Sequence, residues 1–286
     1  MERAFDVEAD GVRLAAREWP GDGRGVLLLH GLASSSHIWD LVAPRLAPTY
    51  RVVAYDQRGH GRSGKPSFGY GFERTTADAL AVMRAALLRR PIVVGHSWGA
   101  SVALELAARY PRLVGGTVLV DGGFLRLRDR MDWPTTKERL APPDLRGTPV
   151  HEFLEMTRYF LHGQVEITPE VEAVFLSLMR IDGDGNIHPR LSRANHLRIL
   201  RALWEQDTLA LLRRVRVPTL VLAVRSPAGT PDSAGFMHEK ERASADVRAI
   251  GGPVRFEWID GIHDVPLQRP RALASRIARF AGSVAE

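Results

Sequence analysis

Apolar residues along this chain fall into short continuous runs separated by longer stretches of helical spacing. Phe5-Asp6-Val7-Glu8-Ala9 and Val12-Arg13-Leu14-Ala15-Ala16-Arg17-Glu18 flank Asp10-Gly11. Two β-patterned runs around an Asp-Gly pair predict a hairpin. Val26-Leu27-Leu28-Leu29-His30 has no alternation and stops at Gly31, as a parallel strand buried on both faces does. Further strands are predicted over 51–56, 91–95, 114–120, 217–224 and 254–259. Between them, residues 39–47, 73–89, 98–109 and 270–281 repeat their apolar positions at helical spacing.

Strands alternating with helices imply an α/β fold with a mostly parallel, doubly wound sheet. The alternation lapses from 124 to 214. Helical stretches are predicted there over 150–161, 169–179, 190–204 and 208–214, with Pro142-Pro143 and Asp182-Gly183-Asp184-Gly185-Asn186 between them. The expected organisation is a core of residues 1–123 and 215–286 with an inserted helical cap of residues 124–214. In open parallel sheets ligands bind at the C-terminal strand edge, and the cap is expected to cover that edge.

Composition narrows the chemistry. Of 286 residues, 45% are hydrophobic, enough for a substantial core. Cysteine is absent, which excludes disulfides, thiolate metal sites and a cysteine nucleophile. The net charge is +6 and nearly all the positive charge is arginine. Acids and bases interleave, and no nucleic-acid-binding module is visible, so no nucleic-acid partner is expected. The first residues carry no signal-peptide pattern. No apolar run approaches the roughly 20 residues of a membrane span. No membrane association and a cytoplasmic location are the resulting expectations.

Gly95-His96-Ser97-Trp98-Gly99 follows the strand at 91–95 and opens the helix at 98–109. A G-x-S-x-G set in strand-turn-helix context is a nucleophile elbow, with Ser97 presented at the apex of a turn too sharp for bulky neighbours. Among the histidines, only His263 lies in a loop after the last predicted core strand, and it is the candidate base. His96, inside the elbow, is expected to be structural. Two acids compete to orient His263. Asp121 sits directly at the end of strand 114–120. Asp232 is the first acid after strand 217–224, eight residues beyond it. Asp121 is preferred because it would share the sheet edge with Ser97. Asp260 and Asp264 read as turn formers. Backbone N–H groups of Trp98 and Leu32 are the candidate oxyanion hole.

His30-Gly31, Asp56-Gln57-Arg58-Gly59-His60-Gly61-Arg62-Ser63, the elbow and Gly261-Ile262-His263 occur in the order found in the α/β-hydrolase superfamily. The chain resembles a serine-nucleophile, capped, esterase-like member of it over essentially its whole length. The resemblance implies that Asp56, Arg58 and Ser63 form a structural turn. It also implies an acid after the strand before the last, where this chain has Arg225-Ser226-Pro227. Some members carry the acid one strand earlier, which matches Asp121. The implied activity is hydrolysis of an ester or related acyl bond through an acyl-enzyme, without metal or organic cofactor, on a small apolar acyl substrate. The alternatives are non-hydrolytic chemistry on the same Ser-His pair and, further off, a non-catalytic small-molecule receptor. In the cap, Phe153, Met156, Tyr159, Phe160, Phe175 and Met179, with Trp133 and Trp204, are candidates for a pocket wall, most of them expected to be cap core instead. Asn195-His196 is read as either a substrate contact or a surface pair. Asp182–Asn186 resembles the start of a calcium loop but lacks its distal glutamate and is expected to be a turn between cap helices.

Overall fold

The computed structural model describes residues 2–227 and 233–285. Strands β1 (Arg3–Ala9) and β2 (Val12–Trp19) pair antiparallel with Ala9 opposite Val12. Asp10 and Gly11 both have positive φ, the conformation a two-residue hairpin turn demands. There follow β3 (Gly25–Leu29), α1 (Ala43–Leu46), β4 (Arg51–Tyr55), α2 (Phe72–Ala85), β5 (Ile92–His96), α3 (Trp98–Arg109) and β6 (Gly116–Val120). The interruption holds α4 (Trp133–Arg139), β7 (Thr148–Pro149), α5 (Val150–Leu161), α6 (Pro169–Ser177), β8 (Met179–Ile181), β9 (Asn186–Pro189), α7 (Arg193–Glu205) and α8 (Thr208–Arg214). The chain ends with β10 (Thr219–Arg225), α9 (Ser233–Ile250), β11 (Val254–Asp260), α10 (Val265–Gln268) and α11 (Pro270–Ser283).

Among the described residues, eight strands form one sheet in the order β1-β2-β4-β3-β5-β6-β10-β11, parallel from β4 onward. Why the central strands carry unbroken apolar runs is visible in where their side chains go. Leu27, Leu29, Val93, Leu119 and Val221 enter the apolar cluster on one face. Val26, Leu28, Val94, Val118 and Leu222 enter the cluster on the other. Helices cover both faces, so both sets of an alternating strand must be apolar. Each such side chain contributes about 1.5–3 kcal/mol by burial. Every residue from Trp98 to Ala107 of α3 is buried, and its small residues let the helix lie close against the sheet.

Four departures from the sequence pattern have local causes. The stretch 39–47 divides into a 3-10 turn, Ser36–Trp39, and the single turn of α1. Pro44 at the start of α1 cannot continue a preceding helix. Within the interruption, β7, β9 and β8 form a small antiparallel sheet, although the apolar spacing there predicts helices alone. Asp182 accepts the N–H groups of Asp184 at 3.1 Å and Asn186 at 2.9 Å. That Asx turn folds β8 onto β9, so the calcium-like segment is a hairpin turn between strands. Helix α7 begins at Arg193 rather than 190 because the Ser192 side chain caps the Asn195 N–H at 3.2 Å. Leu209, Leu211 and Leu212 of α8 pack into the main core cluster with Leu104 and Leu106.

Candidate active site

Parallel strands share one C-terminal edge, and the loops leaving β3, β5, β6 and β11 there carry the candidate residues. Ser97 lies between β5 and α3 with φ 55° and ψ −121°, a strained conformation for a residue with a Cβ. The neighbouring chain enforces it. A side chain on Gly95 would run into the carbonyl of Gly99, and one on Gly99 into the carbonyl of Leu29. The Ser97 N–H is held by the Val120 carbonyl at 2.9 Å, which fixes the apex against β6.

Ser97, His263 and Asp121 form one hydrogen-bonded chain. Ser97 Oγ is 3.0 Å from His263 Nε2. His263 Nδ1 is 2.7 Å from Asp121 Oδ2. Asp232 lies outside the described residues. The Asp121 side chain is 1% exposed, and its other oxygen accepts the Val224 N–H at 2.9 Å and faces the Lys240 ammonium at 2.7 Å. Both carboxylate oxygens are therefore committed, one to the imidazole and one to the neighbouring strand and helix. His96 is more than filler. Its Nε2–H donates to the carbonyl of His263 at 2.8 Å and ties the histidine loop to the elbow. Gln268 accepts the Ile262 N–H at 2.8 Å and steadies the same loop.

Electrostatics follow from these contacts. Withdrawal from bulk water pulls the His263 pKa down, but the hydrogen bond and charge of Asp121 outweigh it and leave the group above its ordinary value. Burial would raise the Asp121 carboxyl, yet His263 and then Lys240 hold it well below the usual carboxylate range. His96 is pushed down to about 4, by burial first and by the neighbouring His263 charge second. A neutral His96 with its proton on Nε2 is the form that donates to the His263 carbonyl.

The oxyanion candidates belong to the first turn of α3 and to the loop after β3, where Gly31 packs against Ser97. Trp98 opens α3, whose first N–H groups have no helical acceptor. Leu32 precedes Ala33, which has φ 56°. The Ala33 N–H donates to His60 Nε2 at 3.2 Å, while His60 Nδ1–H donates to the Arg58 carbonyl at 3.0 Å. His60 stacks on Trp98 at 5.3 Å. Burial, then the His30 charge, keeps it neutral, as an acceptor must be. Asp56 accepts the N–H groups of Ser36 and Arg62, both at 2.8 Å. Arg58 pairs with Asp78 at 2.6 and 2.7 Å. The turn at 56–63 thus supports the Leu32 loop from behind.

Sequence reasoning missed Lys240 and the role of His60. Lys240 carries one signal: only three of the 39 basic residues, Lys65, Lys137 and Lys240, are lysine. Nothing local marks its partner, which is 119 positions away by subtraction of the residue numbers 240 and 121.

A cavity of about 1340 Å³ lies between the interruption and the core. Its floor includes Leu32, Ala33, His60 and Gly61. Phe153, Met156, Tyr159, Phe160, Phe175 and Met179 all border it, so these residues are cavity wall more than the expected cap core. Phe153 and Met179 serve both purposes and pack with Ile187. Trp133 and Trp204 lie against one another at 6.1 Å instead. Asn195 is 6% exposed and donates to Tyr70 Oη at 2.7 Å and the Pro66 carbonyl at 3.2 Å. It ties α7 to the core rather than facing solvent. Asp264 precedes α10, and Asp260 ends β11.

The sequence matches the alpha/beta hydrolase fold family over residues 25–162, and the chain belongs to that family. It is 31% identical over 238 residues, 80% of this chain and 70% of the relative, to a pimeloyl-[acyl-carrier protein] methyl ester esterase of Neisseria meningitidis. It is 28% identical over 276 residues, 92% of this chain and 95% of the relative, to the 2-(acetamidomethylene)succinate hydrolase of Mesorhizobium japonicum. A solved E-2-(acetamidomethylene)succinate hydrolase shares the fold, with a TM-score of 0.80 at 23% identity over 99% of this chain and 100% of that one. Relatives that are hydrolases support a general hydrolase role. Among the described residues, no helix is long and apolar enough to cross a membrane.

Proposed function

We propose that the chain is a serine hydrolase that cleaves an ester or related acyl bond through an acyl-enzyme. The observation that carries this reading is the chain of hydrogen bonds from Ser97 through His263 to Asp121 at the strained elbow. In the neutral imidazole, Asp121 holds the proton on Nδ1 and leaves the Nε2 lone pair toward Ser97. His263 takes the Ser97 proton as Oγ attacks the carbonyl carbon. Trp98 and Leu32 N–H groups hold the developing oxyanion. His263 then protonates the leaving oxygen. Water, deprotonated by His263 in its turn, releases the acid and restores Ser97. The substrate is a small acyl compound whose apolar part occupies the cavity between core and cap. Ester cleavage is in keeping with the methyl ester esterase name of the Neisseria relative.

Intact-mass labelling with a fluorophosphonate, followed by peptide mapping, tests it. One adduct at Ser97 is expected, absent in Ser97→Ala and largely lost in His263→Ala. His263 is 54% exposed, so the reagent has access to the pair. A folded protein that takes no adduct, or takes it elsewhere, overturns the reading.

A further inference from the structure

The cavity wall is apolar along α5 and α6 and cationic at one end. Arg190 stands there beside Leu191 and Ser192. Its Nε–H donates to the Met179 carbonyl at 3.0 Å, which anchors the stem of the guanidinium. Among the described residues its two terminal nitrogens meet no carboxylate. The wall does contain an acid, Asp144, but Arg146 occupies both its oxygens, at 2.8 and 2.7 Å. Lys65 lies behind the floor residue Gly61 rather than in the cavity lining. Its ammonium donates to the carbonyls of Gly61 at 3.0 Å and Ser63 at 2.8 Å, again without a carboxylate. Burial and then the charge of Arg190 lower the Lys65 pKa, against a smaller pull from the Asp56 charge, so the two cations are near enough to repel one another. Like charges held near one another cost energy, and an anion bound at the Arg190 guanidinium would lower that cost. A guanidinium anchored through Nε still presents its terminal N–H groups, and a carboxylate is the planar anion that matches them.

We propose that Arg190 recognises a carboxylate on the substrate, so that the preferred substrates are acyl compounds bearing a second, remote carboxylate. The apolar wall takes the carbon chain between the scissile carbonyl and that carboxylate. The proposal rests on Ser97 being the nucleophile. It revises the expectation of a purely apolar substrate.

Two p-nitrophenyl esters of equal chain length test it, the hemiglutarate and the neutral valerate. In the wild type, kcat/KM is expected to favour the hemiglutarate. In Arg190→Gln the ratio of the two kcat/KM values is expected to fall about 10–100-fold, the size of a lost charged hydrogen bond, mainly through KM. Arg190→Lys should recover part of it. Glutarate itself, titrated calorimetrically into wild type and Arg190→Gln, reads binding without turnover. If Ser97 proves not to be the nucleophile, glutarate binding that is lost in Arg190→Gln still sustains the subsite. A wild type with no preference for the charged ester, or a ratio or glutarate affinity unchanged in a folded Arg190→Gln protein, overturns it.

Discussion

The strand edge and the segment inserted between β6 and β10 are built to opposite specifications. At the edge, the Asp121 side chain is 1% exposed and both of its oxygens are occupied. The Ser97 backbone is bonded to β6, and the His263 carbonyl is bonded to His96. In the inserted segment, Met156, Tyr159 and Phe160 of α5 are 51%, 88% and 72% exposed, while the buried side of α5 and α6 divides between the small cluster of Phe153, Met179 and Ile187 and a large core cluster that takes Leu161, Val171 and Val174. Groups that must meet within a few tenths of an ångström thus follow directly on sheet strands, and two of those strands, β5 and β6, are buried along their whole length. Groups that need only offer a surface stand on the outer face of a helix whose other face is buried. On the proposed function, reaction geometry would belong to the sheet edge and substrate choice to the inserted segment.

Substitutions at the edge should act on turnover and those in the cap on binding. The largest effect is expected from Asp121→Asn. The amide would favour the wrong imidazole tautomer while keeping the shape, and kcat should fall by about 10⁴-fold, as read with an activated ester. A loss of less than tenfold would remove Asp121 from the orienting role.

Lys240→Met is next. His263 must be unprotonated to act as base, and its pKa is raised above the ordinary 6.5. The acid limb of kcat/KM should therefore lie above that value, activity rising as pH rises through it. Burial lowers this pKa and Asp121 and Asp264 raise it, while the Lys240 charge opposes protonation. Removing the Lys240 cation should move the limb upward by about one unit. It should also cost about 3–5 kcal/mol of stability, because a buried carboxylate loses its counter-ion. A limb that moves downward would mean that Lys240 acts by aiming the carboxylate rather than by its charge.

The smallest effect belongs to Phe160→Ala in the cap. Losing about 1 kcal/mol of apolar contact should raise KM roughly fivefold with kcat and melting temperature almost unchanged. A large fall in kcat would erase the division between edge and cap.

Much of this arrangement is legible in the amino-acid sequence. The β1–β2 hairpin is written in Asp10-Gly11, and the buried strands in runs such as Val26–Leu29. Ser97 announces itself because one strand-turn-helix segment carries both the residue and the glycines its conformation needs. His263 can be singled out by position, since its loop follows the last strand at the edge that holds Ser97, whereas position only favours Asp121 over Asp232, whose loop leaves a neighbouring strand at the same edge. The small cap sheet is not legible in this way. Its strands, Thr148–Pro149, Met179–Ile181 and Asn186–Pro189, are too short to establish a period.

The chain by itself determined the sheet, the elbow and the order of the candidate residues, because each depends on spacing over a few neighbours. Tertiary structure decided the rest. It brought Lys240 of α9 to Asp121, set His60 beneath the Leu32 loop, and left Arg190 facing the cavity while Arg146 took Asp144. These are pairings between side chains far apart in sequence. The partner of a charge is decided by which surfaces the packed helices and strands bring together.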